Sequence, residues 1–168
     1  IYAFEPGKTP YAKMVESTKH NRNIIAINKG VGERNETLPL FSNTVTTKHS
    51  SLFKRDMSHW GEEFSLRDPE TIDILRLDEF LTEKKIQHVH FMKIDVEGYE
   101  MNCLHGLGDY LTRGDVDMIQ FEFGVATIDA KVFFKDFYHL LNPEYAIYLI
   151  LKDGYYLIKG YNEVLEVF

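Results

Sequence analysis

The chain has 168 residues, 44% hydrophobic and 27% charged, with a formal net charge of −7. That length suits one domain whose core buries roughly 70% of the unfolded surface, and the composition is that of an ordinary soluble globular protein. The acidic balance argues against a nucleic-acid partner, which calls for a basic face, and no apolar run approaches the roughly 20 residues of a membrane span.

Ile1-Tyr2-Ala3-Phe4 reads as a strand that stops at Glu5-Pro6-Gly7, where Pro6 pushes Glu5 out of the helical region. A helix follows from about Pro10 to Lys19, with proline in its first turn. Ile24 to Asn28 is the next strand, closed by Gly30 and Gly32. Strand, helix, strand is the order of a parallel crossover. Leu38 to Phe41 forms a short strand, and Asn43 to Ser51, rich in Asn, Thr and Ser, reads as a long loop of the kind that carries function. Trp60, the only tryptophan, is expected to anchor that region to the core, with stacking on a ligand the alternative.

Ile72 to Leu77 alternates apolar and polar residues as a strand, and Asp78 is expected to cap a helix from Glu79 to Lys85. Val89 to Ile94 is apolar on nearly every residue, as in a parallel strand buried on both faces. Met101, Leu104, Leu107 and Leu111 recur at helical spacing, with Gly106 and Gly108 marking close approach to the sheet or an early helix end. Val116 to Phe123 is a further strand, with Glu122 near its carboxyl end. Asp129 is expected to open a helix that Asn142-Pro143 ends. Tyr145 to Leu151 and Tyr155 to Ile158 form a hairpin around Asp153-Gly154, and Val164 to Phe168 reads as a last strand.

Cys103 is the only cysteine, which excludes an intrachain disulfide and a cysteine-rich zinc site. It fits a reducing compartment, so a cytoplasmic location is the expectation, and its helical setting marks it as a buried small residue. His88 and His90 share one strand face, but a pair without further ligands assigns no metal. The densest chemistry lies at Lys93-Ile94-Asp95-Val96-Glu97-Gly98-Tyr99-Glu100, a strand-to-helix turn with three carboxylates. In open α/β sheets ligands bind beyond the carboxyl ends of the strands. Alternatively, Asp95 or Glu97 merely caps the following helix.

Three blocks resemble the FkbM-type methyltransferases: Ala3-Phe4-Glu5-Pro6, then Leu75-Arg76-Leu77-Asp78-Glu79-Phe80-Leu81, then Lys93 to Glu100 with Leu104, Gly106 and Phe121-Glu122 after it. Ser50-Ser51-Leu52 also fits. The element order gives a mostly parallel sheet with a C-terminal antiparallel hairpin; the resemblance, which spans roughly residues 1 to 125, implies that this is a Rossmann-like α/β methyltransferase fold, with residues 1–168 a single methyltransferase domain. It implies S-adenosylmethionine as cofactor and methyl transfer to a hydroxyl on a sugar, glycan or natural-product-like acceptor.

On the same resemblance, Glu5 would hold the cofactor's ribose, the loop from Asn28 to Gly32 would pass near the adenine, and Ser51 would contribute there. Asp95 and Glu97 would lie close to the transferred methyl group, with Asp95 the first candidate for the base and Glu122 the second. These carboxylates are also suited to the acceptor's hydroxyls or to a divalent ion. The family's first strand and glycine-rich turn would precede Ile1, between the second and fourth strands, so a segment upstream of this sequence is expected. Two further readings are open: an inactive relative that keeps the scaffold as a binding module, and a metal-dependent hydrolase using Asp95, Glu97 and Glu122.

Overall fold

The computed structural model describes residues 1–42, 50–53 and 69–167, so Trp60 and most of the expected long loop lie outside the described residues. The chain opens with β1 (Tyr2–Phe4), α1 (Lys8–Thr18) and β2 (Ile25–Ile27). β1 and β2 pair in parallel, with Phe4 opposite Ile27. Pro10 occupies the first turn of α1, where a missing N–H costs nothing.

Next come β3 (Gly30–Gly32), β4 (Glu36–Leu40), β5 (Glu70–Arg76) and α2 (Leu77–Glu83). β5 is the middle strand of this group, parallel to β3 and antiparallel to β4. Its alternation holds through Ile74, since Ile72 and Ile74 are buried while Thr71 and Asp73 face solvent, and Leu75 then enters the main core from the other face. β6 (Met92–Ile94), α3 (Glu100–His105), α4 (Asp109–Thr112) and β7 (Ile119–Phe121) form the next unit. β6 and β7 are parallel, with Ile94 opposite Phe121. α5 (Val125–Asp129), α6 (Phe134–Leu141) and the antiparallel hairpin β8 (Tyr148–Leu151) and β9 (Gly154–Leu157) complete the order. The result is a mixed α/β protein with mostly parallel pairing, consistent with a Rossmann-like fold. Its described strands form four small sheets rather than one continuous sheet.

The core gathers on α3 and α6. Leu104, Leu107, Val116 and Phe137 are fully buried. Phe80 of α2 meets Tyr2 and Phe4 edge-on at 5.3 and 5.2 Å, which ties α2 to β1. Phe137 of α6 stacks on Phe121 of β7 at 4.7 Å. Among the described residues no helix is long and apolar enough to cross a membrane.

Several sequence expectations are corrected. Gly30 to Gly32 is not a loop but β3, since its glycines let the backbone lie close to Ile74 and Tyr99. Asp78 does not occupy the cap of α2; it lies in the first turn and forks onto Arg76, with both contacts at 2.7 Å. The run from Val89 to Ile94 is not buried on both faces, because Phe91 and Met118 are exposed to solvent while Ile94 and Val116 face the core.

Asp129 ends α5 rather than opening a helix. Thr127 starts that short helix by donating to the Gly124 carbonyl at 2.6 Å, and Lys131 then adopts a left-handed φ of 60° before α6. The tail is a 3₁₀ turn, Glu163–Glu166, not a strand. The Asn162 side chain accepts from the Val164 amide at 3.1 Å, and the Glu166 carboxylate accepts the Phe134 and Lys135 amides at the start of α6.

Both sequence readings of Gly106 hold at once. α3 ends there, and a Cβ on Gly106 would sit 2.1 Å from the Gly32 carbonyl oxygen of β3. Backbone cannot give way as a flexible side chain does. Gly106→Ala is therefore expected to lower stability by roughly 1–3 kcal/mol through overpacking. Gly160→Ala, with open space around it, should stay within about 0.5 kcal/mol of the parent. Urea unfolding of the two variants checks this; equal losses would remove the packing account.

Candidate functional site

Four polar side chains occupy the first position beyond the strands of the two-stranded parallel pairs β1–β2 and β6–β7: Glu5 after β1, Asn28 after β2, Asp95 after β6 and Glu122 after β7. The registers set them in pairs, because Phe4 opposes Ile27 and Ile94 opposes Phe121. The β1–β2 ladder runs one step further, with the Glu5 amide donating to the Ile27 carbonyl at 3.0 Å. Asn28 then donates both amide hydrogens inward, to the carbonyls of Glu5 and Pro6, each at 2.9 Å.

Glu5 is half-buried, and its Oε1 accepts the Gly7 amide at 2.9 Å. Burial lifts its carboxyl above the usual glutamate range, opposed by the Gly7 bond and assisted by the negative charge of Glu70. Glu70, at the start of β5, accepts the Lys8 amide at 3.2 Å. The first turn of α1 is thus held by two acids from different elements.

The turn from Asp95 to Glu100 is built differently from a capped helix. The cap position of α3 is Tyr99 and carries no side-chain cap bond, so neither Asp95 nor Glu97 caps this helix. The acid that serves the turn is Glu100, which is only 2% exposed. Its Oε1 accepts the amides of Val96 and Gly98, each at 3.2 Å. Oε2 is buried and, among the described residues, accepts nothing. Burial therefore raises the Glu100 carboxyl above the ordinary value, with the amides of Glu100 itself, Gly98 and Val96 opposing and the charge of Glu122 adding to the rise.

Glu97 lies in the left-handed region at φ 53°, which costs a non-glycine residue roughly 1–2 kcal/mol. Gly98 follows at φ 104°, and a Cβ there would meet the Ala126 carbonyl of α5 at 2.6 Å. Neighbours hold this strained backbone in place. Ser51, 3% exposed, donates its hydroxyl to the Glu97 carbonyl at 2.9 Å and accepts the Phe53 amide at 3.2 Å. Its backbone bridges Phe41.

Asp95 is exposed and accepts from Lys93, two residues earlier on the same face. Glu122 is exposed as well. Asp95 and Glu122 are thus adjacent by register, and Glu5 and Asn28 are adjacent by direct bonding. The two pairs belong to separate two-stranded sheets. A chain of side-chain and backbone links connects them: the Lys8 amide to the Glu70 carboxylate, Glu70 opposite Leu40, Phe41 bridged to Ser51, and the Ser51 hydroxyl to the Glu97 carbonyl. A groove of about 620 Å³ lies elsewhere, between α2 and α4, lined by Arg76, Asp78, Tyr110 and Arg113 among others. None of the candidate carboxylates lines it. Its two arginines are already engaged, Arg76 with Asp78 and Arg113 with Asp115.

Cys103, buried on α3, donates its thiol to the Val31 carbonyl at 3.1 Å. Burial pushes that thiol far above its usual range, which makes it a packing residue. Glu100 is the acid of this turn that sequence reasoning counted among the three carboxylates but gave no role of its own. Its signal was an acid at the first residue of a helix, directly after a Gly-Tyr step.

Polar groups set just past the ends of parallel strands in a mixed α/β protein are consistent with a Rossmann-like fold, in which ligands bind beyond those strand ends. Residues 1–146 match the methyltransferase FkbM domain, and the chain belongs to that family of methyltransferases. It is similar to "Methyltransferase 1" of Beauveria bassiana, 29% identical over 122 residues, which cover 65% of this chain and 49% of that protein. The chain thus spans about half the length of the curated relative it matches. No solved structure matches it significantly.

The raised carboxyl of Glu100 gives a signed prediction. Its folded-state value lies above the ordinary 4.5, so its contribution to stability is complete below about pH 4.5 and is lost as pH rises through the folded value. Glu100→Gln mimics the protonated form and keeps an oxygen for the two amides. The variant should therefore gain stability relative to the parent between pH 4 and pH 8. Urea unfolding of both proteins at the two pH values checks this; a difference that does not change with pH would refute it.

Proposed function

We propose that this chain is the catalytic domain, or part of it, of an S-adenosylmethionine-dependent O-methyltransferase. The single observation that supports this reading best is the placement of Glu5, Asp95 and Glu122 one residue beyond parallel strands, in a member of a methyltransferase family. The donor set suits the cofactor, because Glu5 offers a half-buried carboxylate whose Oε2 takes no hydrogen bond among the described residues. A carboxylate is acceptor-only and receives two hydroxyls of a ribose together. S-adenosylmethionine, when bound, supplies a methyl group on a positively charged sulfur for in-line transfer to an oxygen.

The chain's own residues then divide the work. Glu5 accepts the ribose hydroxyls, and Asn28, whose amide hydrogens are spent on Glu5 and Pro6, holds that turn in register. Ser51 acts in the same way on the other turn, since its hydroxyl hydrogen goes to the Glu97 carbonyl. Asp95 takes the proton of the acceptor hydroxyl, with Lys93 orienting its carboxylate. Glu97 and Glu122 hold further hydroxyls of a sugar- or polyol-like acceptor.

Calorimetric titration of the full-length protein with S-adenosylhomocysteine is expected to give one binding site and a rise in melting temperature. Glu5→Ala should weaken that binding roughly 10–100-fold, the worth of hydrogen bonds to a charged group. Asp95→Asn should lower kcat by roughly 10²–10⁴-fold while leaving the affinity for S-adenosylhomocysteine nearly unchanged. Absence of binding by the parent would favour a non-catalytic binding module, and unchanged kinetics in both variants would remove the site assignment.

A further inference from the structure

A second cluster lies at the opposite ends of β6 and β7 from Asp95 and Glu122. Val89 and Val116 form an isolated parallel bridge, closed by the Val89 amide to the Asp115 carbonyl and the Asp117 amide to the Val89 carbonyl, both at 2.9 Å. Val116 is buried and Val89 packs against the core. Side chains alternate across extended backbone, so His88, His90 and Asp117 all emerge on the solvent side. The His88 and His90 rings stand 5.0 Å apart at 84°, and His88 Nε2 lies 2.9 Å from Asp117 Oδ2. One ligand-capable atom from each of the three residues falls within 4.8 Å of the others.

We propose that His88, His90 and Asp117 bind a divalent transition metal of the zinc class. Two imidazoles and a carboxylate select zinc and its neighbours over magnesium and calcium, which favour all-oxygen sites. Bonds of about 2.0–2.2 Å to a tetrahedral ion place ligand atoms about 3.3 Å apart. The His88–Asp117 pair is already that close, and only the exposed His90 ring has to swing in. Metal binding replaces the proton shared by His88 and Asp117. Three ligands leave a fourth position for water. His90 and Asp95 are five residues apart, about 17 Å along extended chain, so the ion does not reach the strand ends that carry Asp95 and Glu122. Its effect is to clamp the entry of β6 to the entry of β7. Nothing in this assignment rests on methyl transfer.

The sequence signal was half visible. His88 and His90 share a face, but the third ligand is 27 positions further on and is brought in only by the parallel bridge. Titration of the chelator-treated full-length protein with zinc chloride tests the site, with magnesium chloride as the comparison. The expected result is one zinc per chain at micromolar concentration, a melting temperature raised by several degrees, and no response to magnesium. His90→Ala and Asp117→Asn should each weaken zinc binding at least ten-fold. Both residues are exposed, so the melting temperature without metal should hold in each variant. No zinc binding by the parent, or zinc binding that persists unchanged in both variants, would overturn the proposal.

Discussion

The two hydrogen bonds that Glu100 accepts from the amides of Val96 and Gly98 are the constraint on which the candidate site depends. A strand that runs directly into a helix leaves amides without partners. Here one buried carboxylate collects two of them and fixes the turn that displays Asp95 and Glu97. The cost is a charge in a poorly hydrated place, and that cost appears as a raised carboxyl. It also appears as backbone strain at Glu97, which persists because Ser51 and Gly98 leave the chain no alternative path.

From that turn the structure spreads in two directions. Through Ser51 and its bridge to Phe41, the turn is coupled to β4 and β5, and through Glu70 to the first turn of α1 beside Glu5. Along α3 it is coupled to the core, where Cys103 binds the Val31 carbonyl and Gly106 lies against the Gly32 backbone. The same short helix thus aligns the acid-bearing turn and seats β3. Side-chain packing and polar positioning are inseparable here, because a shift of α3 would move Glu100 away from the amides it satisfies.

The zinc-class cluster and the strand-end carboxylates share a cause. Parallel pairing of β6 with β7 fixes what stands side by side at both ends of the ladder: His88, His90 and Asp117 at the entry, Asp95 and Glu122 at the exit. One register therefore produces two clusters of different chemistry, one mixed nitrogen and oxygen, the other all oxygen.

Local signals in the chain determined the strands at Tyr2–Phe4 and Ile25–Ile27, the first helix, the alternation of β5 and the C-terminal hairpin, because apolar periodicity and turn residues act over short range. They also marked Glu5, Asp95 and Glu122 as strand-end acids and Cys103 as a packing residue. Other features depended on partners distant in sequence. The tail became a 3₁₀ turn because Glu166 is drawn to the amides that open α6. Gly30 to Gly32 became a strand because β5 accepts it. Asp78 turned from a cap into the partner of Arg76. The role of Glu100 was decided by burial, which no periodicity in an acidic stretch reveals. Sequence named the acids; only the tertiary packing determined which one is buried and holds the turn, and which ones face outward to solvent.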